Sequence, residues 1–248
     1  MESQVEENVM ESQVEENVES AALPPDLSEE EKEICEAVAP FTMTSVERIV
    51  SLVQATKYVT ENKIRGDIVE CGVWKSGSMM VVAYTLQRLG DTSRKLYLYD
   101  TFAGMPEPTP RDKRYDGESA DSLLSEMEKN TGLWCYASKD EVAANLQSTG
   151  YPDENVILIE GKVEETIPQT LPDSISLLRL DTDWYESTKH ELTYLYPRLS
   201  RSGVLIIDDY GYWQGAKEAT DEYFSQLKMK PLLQRIDYTG RLAIKIEE

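Results

Sequence analysis

Two aspartates stand one residue apart in "LLRLDTDWYEST", Leu177 to Thr188, where an apolar run breaks into Asp181 and Asp183. A second acid pair, Asp208-Asp209, closes the apolar run of "GVLIIDDYG". Carboxylates so placed can serve as the aspartyl nucleophile of a phosphatase or as ligands of a hard divalent cation. The bland alternative is one acid capping the next helix and the other solvated. A phosphatase needs DxDx[TV] on the first strand of its fold. Here Tyr185 holds the fifth place and the motif closes a later strand, so that chemistry is set aside. If the two runs lie on neighbouring strands, up to four carboxylates meet, and protons or a cation must neutralise them. A ligand set made only of oxygen favours magnesium or a similar hard cation over zinc.

Acids at strand ends need a sheet to hold them. After Gly66 the chain alternates strand and helix signals, with strands predicted at 67–73, 95–100, 155–161, 174–181 and 203–209. Their apolar residues run continuously, which implies strands covered on both faces, as in a parallel doubly wound sheet flanked by helices. "LLQRIDYT" and "RLAIKI", parted at Thr239-Gly240, predict a terminal hairpin. Ligands of such sheets bind beyond the carboxyl ends of the strands.

The first strand delivers "ECGVWKSGS" there, with Glu70, Gly72, Ser76, Gly77 and Ser78. Glycines let a ligand approach the backbone, and the amides opening the next helix favour a carboxylate, although a purely structural turn reads the same way. The second strand ends at Asp100, followed by Thr101, where ribose hydroxyls are gripped in dinucleotide-type sites. A helix-capping role is the alternative for Asp100. The third ends in "IEGKVEETIP", with Gly161, Val163 and Glu164 placed to border an adenine, or with Glu164 simply an acid in a first helical turn.

The bulk properties agree with a small-molecule site. The 248 residues suffice for one sizeable α/β domain. The net charge is −21, and residues 1–36 hold 13 acids against Lys32 alone, hence −12 of it. An acidic chain repels phosphate backbones, so nucleic acid is not expected as a ligand. Cys35, Cys71 and Cys135 show neither CxxC spacing nor histidine partners, which predicts reduced thiols. No apolar run nears the roughly 20 residues of a membrane helix, and no signal peptide is evident, so a cytoplasmic protein is expected.

"MESQVEENV" occurs at 1–9 and again at 10–18, and residues 1–26 are expected to form an acidic, solvated tail. Residues 27–65 carry two predicted helices. The first has Ser28 as N-cap with Glu31 at the capping-box position; the second spans about 45–62, with Val46, Ile49, Val50, Val53 and Tyr58 near helical spacing. They could cover a site or form an oligomer contact.

"DIVECGVWKSGSMM", "LYDTFAGMPEPT", "EGKVEETIP", "RLDTDWYESTKHELTYLYPRL" and "SGVLIIDDYGYWQGAKEATDEYF" together resemble the macrocin O-methyltransferase (TylF-like) family over residues 40–248. The resemblance implies a class I methyltransferase sheet of seven mostly parallel strands over 66–248, with an antiparallel strand near its end. It also implies S-adenosylmethionine and magnesium as cofactors and a small hydroxylated acceptor, a sugar or vicinal diol of a natural product. On this chain Asp181, Asp208 and Asp209 would hold the metal and Asp183 would be the general base. Glu70, Gly72, Ser76 and Ser78 would line the methionine part of the cofactor and Asp100 the ribose. Loop 105–120 would lie over the acceptor, and a homodimer or higher homo-oligomer is expected. Catechol O-methyltransferases are similar in arrangement, but their base is a lysine, and none stands at the equivalent place. A cofactor-binding module without catalysis is the remaining alternative, against which the full acid set argues. His190, seven residues past Asp183, is expected to pack or face solvent. Trp184 and Tyr185 either pack or wall the acceptor pocket, and Tyr212 and Trp213 either contact the acceptor or join the core.

Overall fold

The computed structural model describes residues 23–126 and 134–247; the duplicated nonapeptides lie outside the described residues. Seven strands form one sheet in the order β3-β2-β1-β4-β5-β7-β6. They are β1 (Asp67–Cys71), β2 (Leu96–Asp100), β3 (Val156–Glu160), β4 (Ile175–Leu180), β5 (Leu199–Ile207), β6 (Gln234–Arg235) and β7 (Arg241–Ile244). The first five are parallel, and β7 runs antiparallel to both of its neighbours. The order reverses between β1 and β4, which makes their carboxyl ends the switch point of the sheet.

Register then does the positioning. Cys71 pairs with Leu180, and Leu180 with Ile207. The next residue of each strand therefore lies level with its neighbours: Asp181 N–H donates to the Cys71 carbonyl and Asp208 N–H to the Leu180 carbonyl, both at 2.9 Å. Two acids 27 positions apart in sequence become neighbours for this reason alone.

Successive strand residues bury on opposite faces. Ile68, Leu177 and Ile206 join one apolar cluster with α1 (Glu29–Val38), α2 (Val46–Glu61), α3 (Gly77–Arg88) and α5 (Lys139–Ser148). Val69, Leu178 and Leu205 join the other, with α7 (Tyr185–Tyr194) and α8 (Gln214–Ser225). Ala120, Leu123 and Leu124, from the start of α4 (Ala120–Glu126), form a third cluster with Trp184, Trp213 and Ala216. The short α6 (Val163–Thr166) follows β3. The predicted capping box is present: Glu31 N–H donates to the Ser28 side chain, whose own N–H donates to the Glu31 carboxylate. Helices α1 and α2 share the first cluster with the strands, and Leu23 is packed against it.

The fifth strand begins earlier than the predicted start at 203. Residues 199–202, "LSRS", lack a continuous apolar run, since three of the four are polar, yet Leu199 is buried and pairs with Ile175. Ser202, at φ +65°, bends the strand between its two stretches. Among the described residues, no helix is long and apolar enough to cross a membrane.

Candidate active site

A cavity of about 570 Å³ opens over the carboxyl ends of β1, β2, β4 and β5. Its walls include Gly72, Gly77, Ser78, Asp100 and Thr101 on one side and Asp181, Asp183, Asp208 and Asp209 on another. Gly161, Val163 and Glu164 border it beyond β3. The structure thus gathers twelve of the fourteen sequence-predicted site residues around one space.

Glu70 and Ser76 do not line it. Glu70 points into the protein, is 1% exposed, and accepts a 2.6 Å hydrogen bond from Arg179. Ser76 is buried at φ +67°, and its hydroxyl donates to the Lys75 carbonyl. It shapes the turn and does not face the cavity.

The glycines have structural reasons that spacing did not reveal. Gly72 has φ +79°, and a Cβ there would collide with the Asp181 carbonyl of the adjacent strand end. At Gly77 a Cβ would strike the Phe41 carbonyl, because residues 41–44 cross directly above the start of α3. Phe41, Thr42, Met43 and Thr44 line the cavity from that side. Asp100 ties the same turn together. Its Oδ2 accepts from the Val73 and Trp74 amides at 2.6 and 3.2 Å, and its Oδ1 from the Phe102 amide at 2.7 Å. Each carboxylate oxygen has two lone pairs, so capacity for a ligand hydroxyl is left.

Asp181, Asp208 and Asp209 each offer an oxygen, and the three oxygens lie within 4.8 Å of one another. Two arginines that sequence patterns did not bring forward partly neutralise them. Arg179, 4% exposed in its side chain, donates to Asp181 Oδ2 and Asp208 Oδ1, both at 2.7 Å. Arg48, reaching in from α2, donates to Asp208 Oδ2 and, through Nε at 2.8 Å, to Asp237. The choice between protons and a metal was therefore incomplete; buried guanidinium is a third counter-charge. The signal was a basic residue two places before Asp181 in a buried strand, hidden by the apolar run around it.

Acid charge still exceeds base. Burial, then the charge of Asp181, pushes the Asp183 carboxyl up to about 7, with the Asp209 and Trp213 side chains opposing the rise. Burial also raises Asp181 and Asp209 well above the usual carboxylate range; Arg179 opposes the rise at Asp181, while the Asp183 charge adds to it at Asp209. Asp183 has φ +66°, uncommon for an aspartate, and this turn carries it off the strand line toward the cavity. Below it, Thr182 donates its hydroxyl to Glu191 at 2.9 Å, and burial raises that glutamate well above its ordinary value.

The flanking aromatics divide. Trp184 and Tyr185 are buried and pack: the Trp184 indole donates to the Pro106 carbonyl at 3.0 Å, and the Tyr185 hydroxyl donates to Glu222 at 2.7 Å. Tyr212 and Trp213 line the cavity, Trp213 while remaining 3% exposed. His190 lies off the cavity, its Nε2 2.8 Å from the Ile167 carbonyl oxygen and its ring against Tyr194. Loop 105–120 borders the site through Met105 and Pro106. It is held there by buried Asp112, whose Oδ1 accepts the Tyr185 amide at 2.8 Å and so caps α7 from a distance.

A seven-stranded sheet of this order, with its cavity at the switch point, defines a class I Rossmann-like fold. The chain is 33% identical over 199 residues, 80% of its length, to demethyldecarbamoylnovobiocin O-methyltransferase of Streptomyces niveus, of which that match covers 73%. It is equally identical, with the same coverage, to 8-demethyl-8-(2,3-dimethoxy-alpha-L-rhamnosyl)-tetracenomycin-C 4'-O-methyltransferase of Streptomyces olivaceus. Among solved structures, the O-methyltransferase NovP superposes with a TM-score of 0.73 at 30% identity, over 84% of this chain and 83% of that one. The protein is an O-methyltransferase. Residues 2–243 match the Macrocin-O-methyltransferase (TylF) family, and the chain belongs to it.

Proposed function

We propose that this enzyme methylates a hydroxyl of a small natural product, a sugar or other vicinal diol, using S-adenosylmethionine and a divalent cation such as magnesium. The observation that carries the cation is the convergence of Asp181, Asp208 and Asp209 oxygens within 4.8 Å, an all-oxygen donor set with negative charge beyond what Arg48 and Arg179 cancel. The family membership and a relative named for a rhamnosyl-bearing compound support the acceptor class.

S-adenosylmethionine supplies the methyl group as an electrophilic sulfonium. Gly72 and Ser78 would hold its amino-acid end and Asp100 and Thr101 its ribose, with Gly161, Val163 and Glu164 beside the base. Asp181, Asp208 and Asp209 would hold the divalent cation, which would supply Lewis acidity to the acceptor. Asp183 takes the acceptor proton as general base. Its carboxyl, at about 7, is matched to proton transfer near neutral pH. Residues 41–44, Met105, Pro106 and Trp213 enclose the reacting groups and limit water.

The test is Asp183→Asn in the full chain. It should bind S-adenosylhomocysteine normally and lose about 10²- to 10⁴-fold in kcat across a panel of diol-bearing acceptors. Normal turnover by this variant would reassign the base. An enzyme whose turnover withstands EDTA needs no cation.

A further inference from the structure

We propose that Arg179 is a positioning residue for the cation ligands, and that Glu70 behind it cancels its charge at the site. This rests on the cation reading of Asp181, Asp208 and Asp209.

The sheet itself places the pair. Glu70 of β1 and Arg179 of β4 are register partners, so their side chains stand on the same face. Asp181 follows Arg179 by two residues, and Asp208 follows the other register partner of Arg179, Ile206, also by two. The period of two in strands turns all four side chains to one side of the sheet. One guanidinium then spans three strands: Nη1 donates to Glu70 at 2.6 Å and Asp181 at 2.7 Å, and Nη2 to Asp208 at 2.7 Å.

Such a fork fixes the rotamers of two ligands that like-charge repulsion would drive apart. The same positive charge would repel a cation. Glu70 answers that. It touches neither the cavity nor the ligands, is fully enclosed, and among the described residues its Oε2 accepts no hydrogen bond. Burying a carboxylate with one oxygen unsatisfied is costly for strand packing alone, since two apolar residues could fill this space. As a counter-charge, Glu70 lets Arg179 orient Asp181 and Asp208 without lowering the pull of the cluster on a cation.

The experiment is calorimetric titration of the full-length protein with MgCl₂ at pH 8, above the value of about 7 to which burial raises the Glu70 carboxyl, with thermal midpoints measured in EDTA. Glu70→Gln keeps shape and an acceptor for Arg179 but removes the compensating charge. It should weaken magnesium binding by about tenfold or more, in the range for groups behind metal ligands. Its midpoint in EDTA should be unchanged or higher. Arg179→Lys should also weaken magnesium, because a point charge cannot span three carboxylates. If that variant does not fold, Glu70→Gln decides. A folded Glu70→Gln that binds magnesium as the unchanged protein does would overturn the proposal and leave the pair a packing device. No magnesium binding by the unchanged protein would instead overturn the cation reading on which the proposal stands.

Discussion

Trp213, the residue just before α8, lines the same cavity as Asp183, which the chain presents from a left-handed turn beyond β4, and its side chain opposes the rise that burial imposes on that carboxyl. The two residues come from different strand connections, and the indole favours the charged form of the acid. Trp213 is itself gripped edge-on by Trp184 at 4.9 Å and by Tyr212 at 5.0 Å. The indole beside the proposed base is thus held by an aromatic cluster.

Trp213→Phe keeps most of that packing and removes the donor. Without it the charged form of Asp183 is less favoured, so its pKa rises and less base is present at a given pH. The acid limb of the pH–rate profile should move to higher pH. Below pH 7 activity should fall on the order of tenfold, the worth of a hydrogen bond to a charged group. An unshifted limb, whatever the loss in kcat, would separate Trp213 from the base.

Gly72 and Gly90 form a controlled pair, since both have positive φ but only Gly72 is crowded. Gly90 has φ +71°, and a Cβ there would meet no atom of the described residues within 4 Å, so Gly90→Ala should cost about 1 kcal/mol of backbone strain. Gly72→Ala adds a backbone collision with Asp181 and should cost at least about 3 kcal/mol. It should also impair cofactor and cation binding together. Equal thermal shifts for the two would contradict the close approach of β1 and β4.

Magnesium binding should depend on pH with a definite sign. Protons on Asp183, Asp181 and Asp209 compete with a cation, so affinity should weaken as pH falls below about 7 and binding should release protons. Titrations in buffers of different ionisation enthalpy measure that release. Stability follows the same linkage. A carboxyl raised from about 3.9 unfolded holds its proton more tightly when folded, so without cation stability falls as pH climbs from about 4. For Asp183 the fall ends near 7. Magnesium at pH 8 should therefore raise the thermal midpoint, and EDTA should return it.

Much of this site was legible in the sequence because strand ends are local events. Apolar runs closing on Asp181, Asp208 or Asp100, and glycines after Glu70, are short-range patterns that a parallel sheet must bring to one edge. The family resemblance then joined those ends into one reaction, and the family match over residues 2–243 agrees with it.

What the sequence could not express was direction and partnership. Glu70 looked like a cofactor contact, but the alternation along β1 turns it toward Arg179. Arg48, in a helix that read only as amphipathic, reaches Asp208 from 160 residues away. Gly77 is required by a crossing of residues 41–44 that no local pattern announces. The sequence by itself determined the strands, their acids and the chemistry those acids can perform. Only the tertiary structure decided which charges face each other, because buried carboxylates and guanidinium groups find their partners across strands through register and not through spacing along the chain.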